Sequence, residues 1–570
     1  MIRTASFALL ASLTLAVACS DGDDAAADAG PGGASSGSSG GSSGTGPDGA
    51  APLGDGGALA DATPDDDRFV PPPSEDAIML EDIQRATFRY FWDFAHPASG
   101  MARERSTSGD IVTSGGTGFG IEAIVVGVSR GWITRAEALA RLQLLVGYLA
   151  TADRFHGAWS HWLHGGTGRA VPFSLKDNGG DLVETSFLIH GLLVARQFFD
   201  GADPAETALR QGITTLWEGV EWSHYATKGD GRLYWHWSPN YGWDMNLRIA
   251  GYNEALITHV LALASPTHPI AQAVYDTTWT HAGYRNRATY QGYQLPLGPN
   301  LGGPLFFEHY SLMVLDPRKL ADTHASYWLQ GVVHTRINRA YCLQSAPANY
   351  GYGPQLWGLT ASDNPDGYDA HSPTNDNGTI APTAALSSMP FTPHESLEVA
   401  RHLRSLGAQA FGEYGFVDAL NPSRNWYDTQ TIAIDQGPIV AMIENYRSGL
   451  LWDLFMRVPE VRTGLTRARI AEPEHATGFY LAIPDATDGR VHLVRHPDRR
   501  AYELDVAIHD AGAFSLVVET PDGVDVNVLW NAENVPAGTR VMALGDLPPG
   551  PYTVQLTGPG VTRTLAIQTH

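Results

Sequence analysis

Residues 181–217 read DLVETSFLIHGLLVARQFFDGADPAETALRQGITTLW. Apolar residues recur at helical spacing from Asp181 to Phe199 and again from Pro204 to Trp217. Only Gly201 to Asp203 separate the two runs. Helices joined by so short a link lie side by side and antiparallel.

The same texture extends in both directions. Helical periodicity covers Ile78 to Phe94, Gly118 to Val128, Thr134 to Leu149, Tyr252 to Ala264, Pro269 to His281 and Leu305 to Met313. It continues through Leu320 to Ile337, Thr379 to Ser388, Pro393 to Leu406 and Gln436 to Met456, about twelve helices in all. Thr134 and Glu137 read as a capping box for the third. The links Gly131 to Ile133, Ser265 to His268, Val314 to Lys319 and Met389 to Thr392 are short. Those between are long: Ala152 to Gly180, Glu218 to Gly251, Ala282 to Pro304, Asn338 to Gly378 and Gly407 to Asp435. Loops of that length in a compact domain carry function. Tight links on one side and long loops on the other predict a closed double ring, an (α/α)6 toroid. The even-numbered helices would be the inner ones, with their N-termini opening on the long-loop face. No sequence repeat of fixed period supports a solenoid.

Outside 77–463 the character changes. Arg3 and the apolar run Phe7 to Val17 form an export signal too short to span a bilayer. It ends at Ala16-Val17-Ala18-Cys19, which resembles a lipoprotein cleavage box with Ala16 where leucine is usual. The expectation is a signal over 1–19, lipidation at Cys19 and a place in the bacterial cell envelope, the anchor being the only membrane contact. Residues 20–76 are Gly, Ser, Ala, Pro and Asp, with twelve acids against Arg68 between Ser20 and Ile78. Such a segment lacks the apolar surface that would offset ordering entropy and reads as a flexible tether. It carries much of the net charge of −24. No basic stripe is left to neutralise phosphates, so nucleic-acid binding is not expected. Over 464–570, YLAIP, RVHLV, YELDVAI, FSLVVET, VDVNVLW, TRVMAL and YTVQLTG are short alternating runs between turns, predicting a small β-sandwich.

Chemistry concentrates in the long loops. Trp159 and His161, then Trp235, His236 and Trp237, then Trp357, Tyr368 and Trp426 offer flat apolar faces and polar edges suited to sugars. Glycoside hydrolysis needs one protonated and one ionised carboxyl. Asp181 and Glu184 open the fourth helix, three residues apart on one face. Glu254 opens the sixth behind Asn253, Glu308 and His309 open the eighth, and Asp435 precedes the twelfth. Any one of these acids alone would serve equally well as a helix cap. Their polar and aromatic company favours a cleft. No HExxH, zinc-type ligand spacing or GxSxG occurs, so neither a metal nor another cofactor is expected. Cys342 has no catalytic setting.

The stretches at 80–100, GGTGFGIEAIVVGVSRGWITR (115–135), GGDLVETSFLIHGLLVARQFF (179–199) and YNEALITHVLALASPTH (252–268) resemble the glycoamylase-like domain family. So do those at 341–368, IAPTAALSSMPFTP (380–393) and IDQGPIVAMIENYRSGLLWDLFM (434–456). The resemblance runs from Ile78 to Glu460 in unbroken order. That family includes bacterial β-1,2-glucanases and the end domain of cyclic β-1,2-glucan synthases. The resemblance implies an α/α-barrel hydrolase, inverting and metal-free, acting on a glucan and most readily on a β-1,2-linked one. It carries the catalytic expectation to Asp181, Glu184, Glu254 and Asp435, with Glu254 as general acid and the base in Asp435 or the Asp181/Glu184 pair. A glucanase of another linkage, a barrel-fold polysaccharide lyase and a non-catalytic glycan-binding lipoprotein are the competing classes. A monomer is expected, and endo or exo action is left open.

Overall fold

The computed structural model describes residues 74–471, apart from 282, and strand segments between 490 and 569. The signal, Cys19, nearly all of the tether and the YLAIP run lie outside the described residues.

Fourteen α-helices fall in the described residues: α1 Ser74–Trp92, α2 Ser114–Ser129, α3 Arg135–Leu149, α4 Leu182–Phe198, α5 Pro204–Glu218, α6 Leu256–Ala264 and α7 Gln272–Thr278. They continue as α8 Phe306–His309, α9 Tyr327–Gln344, α10 Pro382–Leu386, α11 Pro393–Ser405, α12 Ala433–Arg447, α13 Leu450–Met456 and α14 Pro459–Ala468. Local chemistry explains several starts. Thr134 and Glu137 form the capping box expected from sequence. Asp203 caps the first turn of α5 ahead of Pro204, and Ser326 accepts from Leu329 N at the start of α9.

Burial separates two kinds of helix. In α2 every residue from Ser114 to Gly127 is buried, as are Leu182 to Ala195 of α4 and all of α6 and α10. A helix buried all round lies inside. By contrast α5 buries only Glu206, Leu209, Ile213, Leu216 and Trp217, the single stripe of an outer helix.

The inner helices touch in sequence. α2 packs on α4, α4 on α6, and α12 on both α2 and α10. Hydrogen bonds carry the remaining contacts: Ile257 N donates to Ser311 Oγ at 2.9 Å, and His309 Nε2 lies 3.0 Å from Ser388 Oγ. The α2–α4 contact needs glycine. A Cβ on Gly118 would lie 2.0 Å from the Phe187 carbonyl oxygen, and one on Gly191 would lie 2.2 Å from that of Gly118. Close backbone approach thus outweighs the poor helix propensity of the SGGTGFG run.

Several expected boundaries differ. The sixth helix begins at Leu256 rather than Tyr252, so Asn253 and Glu254 lie in the turn that leads into it. The run Gln436 to Met456 breaks at Gly449, whose φ of 71° is left-handed, so α12 and α13 are separate helices. The ninth helix starts at Tyr327, because Leu320 to Ser326 form a turn rather than helix. Helix α14 runs through 463/464 to Ala468, so the helical body extends beyond the boundary read from sequence. Among the described residues no helix is long and apolar enough to cross a membrane.

C-terminal strands form two antiparallel sheets. Arg490–Arg495, Tyr502–Ile508 and Gly538–Gly545 make one. Asp525–Val535, Gly512–Glu519, Gly550–Gly558 and Val561–Thr569 make the other, in that spatial order.

Candidate active site

The N-termini of α2, α4 and α12 meet on the long-loop face. Gly115 N, in the first turn of α2, donates to Glu184 Oε2 at 2.7 Å, and Gly116 packs against Ala433 of α12. A Cβ on Gly115 would lie 2.5 Å from Glu184 Oε2, so glycine there is what lets the carboxylate sit against the helix end.

Asp181 is both cap and charge centre. Its Oδ1 accepts from Val183 N at 3.0 Å and Glu184 N at 2.9 Å. Strand Gly180–Asp181 pairs antiparallel with His236–Trp237, which sets Asp181 opposite His236. His236 Nε2 is 3.3 Å from Asp181 Oδ2 and 3.1 Å from Asp177 Oδ2, while His161 Nδ1 is also 3.3 Å from Asp181 Oδ2. Burial opposes charge on both rings, but the facing carboxylates outweigh it and lift His161 to about 9 and His236 to about 10. Against the same burial, the two histidines hold Asp181 below the usual carboxylate range. Glu184 moves the other way, pushed up by burial and by Asp181, with His161 opposing.

Glu254 is arranged differently. Ser311 Oγ donates to its carbonyl and accepts from Ile257 N, fixing the backbone where α6 begins. Its side chain is buried and Oε2 has no hydrogen-bond partner. Burial, opposed by its own backbone N–H and reinforced by Glu184 and Asp181, pushes the carboxyl up to about 7. A group poised there gives up a proton near neutral pH.

Asp435 lies in the first turn of α12, buried, with Oδ2 unpartnered. Burial pushes it up to about 8, with hydrogen bonding to Asp418 and the Arg105 charge acting downward and Asp363 and Glu104 upward. Asp418, buried beside it, is raised well above the ordinary range for the same reasons. The two titrate as a pair. Tyr310 connects the halves of the site: its buried hydroxyl feels Asp435, Tyr368, Glu184 and Glu254, and its ring packs on Phe119, Phe187 and Phe306.

The aromatic candidates divide. Trp235 stacks on His236 and Trp237 packs edge-on against His156, both half-buried, and Tyr368 and Trp426 are half-buried in loop hairpins. Trp159 and Trp357 are fully buried. Trp159 Nε1 donates to Leu149 O, with Arg154 over its ring, so it packs the loop onto the body rather than facing a sugar. Glu308 is also an interior group. It accepts from Tyr252 OH and Gln330 Nε2, each at 2.7 Å, and lies 2.9 Å from His334 Nδ1. Through Tyr252 it anchors the YNE segment. His309 is buried and burial pushes it down to about 3, so it stays neutral. Asn253 accepts from Ala255 N ahead of α6. Cys342 is a buried thiol that burial pushes up to about 12.

Sequence reasoning missed Asp177, Tyr310, Glu104, Arg105, Asp363, Asp418 and Asp428. Most stand in loops, where no periodicity marks them. The available signal was the acid content of 338–378 and 407–435, the loops that flank Asp435.

The Glycoamylase family model, described as "Putative glucoamylase", matches residues 246–459. An endo-β-1,2-glucanase of Chitinophaga pinensis, solved with sophorotriose and glucose, is 50% identical with a TM-score of 0.68; the match covers 70% of this chain and 99% of that one. The chain belongs to the glycoamylase-like family. Another relative of this glycoamylase-like chain is a β-1,2-glucanase structure from Parabacteroides distasonis, 43% identical with a TM-score of 0.68, covering 70% and 60% of the two chains. A curated exo β-1,2-glucooligosaccharide sophorohydrolase of that organism is 43% identical over 419 residues, 69% of this chain. The match spans 58% of that curated relative's length. The family-model match begins just before the YNE segment and ends beyond Asp435, so it includes Glu254 and Asp435.

Proposed function

We propose that the protein hydrolyses β-1,2-linked glucan, with Glu254 as the general acid and Asp435 as the base that activates water. The observation that carries this reading is Glu254 itself, buried, with a free Oε2 and a carboxyl poised at about 7. The relatives named for β-1,2-glucan supply the linkage. Asp181 is excluded as base by occupancy: two backbone N–H groups hold one oxygen and two histidines the other. It and Glu184 orient the site. Asp435 keeps an oxygen without a donor and sits against Asp418, and in the form of the pair that holds a single shared proton its negative charge draws a proton from water.

In this reading the glycosidic oxygen takes the Glu254 proton as the C–O bond breaks. Water attacks the opposite face of the anomeric carbon and gives its proton to the Asp435 side. Proton NMR of the newly formed anomeric centre during cleavage of linear β-1,2-glucan tests it. The α-anomer as first product supports inversion; the β-anomer rules it out.

The contacts from α2 through α12 and back support an (α/α)6 toroid, and the two C-terminal sheets support a sandwich-like accessory domain. Export as an envelope lipoprotein through Cys19, and action as a monomer, complete the proposal.

A further inference from the structure

Asp363, Asp418 and Asp428 come from two different long loops and converge close to Asp435. They are 9%, 1% and 7% exposed, and one carboxylate oxygen from each lies within 4.8 Å of the others. Part of the cluster is accounted for by the protein. Arg105 Nη1 reaches Asp363 Oδ1 at 3.2 Å and Oδ2 at 2.9 Å, while its Nε holds both oxygens of Glu104 at 3.0 Å. Asp363 N donates to Asp418 Oδ2 and Thr429 N to Asp428 Oδ1, each at 2.7 Å.

What remains is Asp418 Oδ1 and Asp428 Oδ2, both cut off from solvent and without an N–H or hydroxyl donor; Asp418 also meets Asp435, and Asp428 meets Asp363, carboxyl to carboxyl. Buried unpartnered carboxylate oxygens are costly. Arg105 supplies one positive charge to a neighbourhood that holds Glu104, Asp363, Asp418, Asp428 and Asp435. An all-oxygen, carboxylate-rich site selects a hard divalent cation over softer metals. Calcium, with oxygens at roughly 2.3–2.6 Å, accepts ligands up to about 5 Å apart across the ion. The separations here fit.

We propose that Asp363, Asp418 and Asp428 bind one hard divalent cation of the calcium class. The ion ties the loop containing Asp363 to the loop carrying Asp418 and Asp428, and so fixes the approach to Asp435. Its role is structural: with the ion bound, Asp418 gives up the proton it shares with Asp435 and serves as a ligand, Asp435 still takes the proton of the attacking water, and no step of the hydrolysis runs through the ion. Sequence spacing gives no hint of it, because the ligands stand 55 and 10 residues apart in loops without a local motif.

The full chain, stripped with EDTA and dialysed, is titrated with CaCl2 by calorimetry and by thermal unfolding. One saturable site and a raised unfolding temperature are expected. Tb3+ is the second probe. Tyr368, which feels Asp363 and Asp418, would sensitise its emission, and Ca2+ would quench it by displacement. Asp428→Asn should weaken Ca2+ binding at least tenfold, whereas the surface change Asp93→Asn should leave it unchanged. No saturable Ca2+ binding to the wild-type chain at millimolar concentration, or equal binding by Asp428→Asn, overturns the proposal. Because binding is read directly, this outcome is independent of whether the chain cleaves β-1,2-glucan.

Discussion

His236 Nε2 lies between two carboxylates, 3.1 Å from Asp177 Oδ2 and 3.3 Å from Asp181 Oδ2, because a two-residue strand pairing sets Asp181 directly opposite it. Asp181 also caps α4, so one side chain joins the inner helix to the loop that carries the aromatic candidates. Asp181→Asn keeps an oxygen for the cap but removes the charge facing both histidines. It should cost about 3–5 kcal/mol of stability, the usual effect of breaking a buried ion pair. Denaturant unfolding measures the loss, and histidine NMR should show both rings titrating at lower pH.

The same histidines predict the alkaline limit of stability. Their folded values, about 9 and about 10, lie above the unfolded value of about 6.5. The stabilisation they supply is therefore complete below that unfolded value and is lost as pH rises through the folded values. Most of it belongs to His236, since His161 keeps 25% of its side chain exposed. The unfolding temperature should fall between pH 8 and 10, from these groups, by more in wild type than in His236→Gln.

Glu254→Gln removes the transferable proton and keeps the shape. Turnover should fall by about 10²–10⁴ with the circular dichroism spectrum and KM nearly unchanged. In wild type, with Glu254 required protonated and Asp435 required ionised, kcat/KM should follow a bell with its maximum between about 7 and about 8, falling on the alkaline side as Glu254 ionises. Wild-type turnover by Glu254→Gln would reduce this residue to a helix-end acid.

Gly115→Ala tests the α2–Glu184 contact. The new Cβ would fall 2.5 Å from Glu184 Oε2, so the carboxylate must move. Activity should drop at least tenfold while the unfolding temperature falls only modestly, because the displaced group is a side-chain end rather than backbone. Gly118→Ala, facing the Phe187 backbone at 2.0 Å, should instead destabilise by about 1–3 kcal/mol or more.

The sequence revealed whatever obeys a local rule. Helix α4 announces itself through periodicity, its link to α5 through Asp203 and Pro204, and the acids of the site through their position at helix starts. Helices α8 and α10 contain only four and five residues, yet their segments were recognisable because the surrounding chain is apolar. The break at Gly449 was hidden, since a glycine in an apolar run looks the same whether helical or left-handed. Residue type also could not separate Trp235 from Trp159, or Glu254 from Glu308. In each pair one member is fully buried and held by partners brought in by tertiary contacts. The Arg105–Asp363–Asp418–Asp428 assembly was illegible for the same reason, as it draws on three separate loops.

The measurement that bears most directly on the account is kcat/KM of the purified chain on linear β-1,2-glucan, laminarin, cellulose oligomers and starch, compared under one condition. Shortened products are expected from β-1,2-glucan at a rate at least a hundredfold above the other three. Cleavage of starch alone, or no shortening of any glucan, would contradict it.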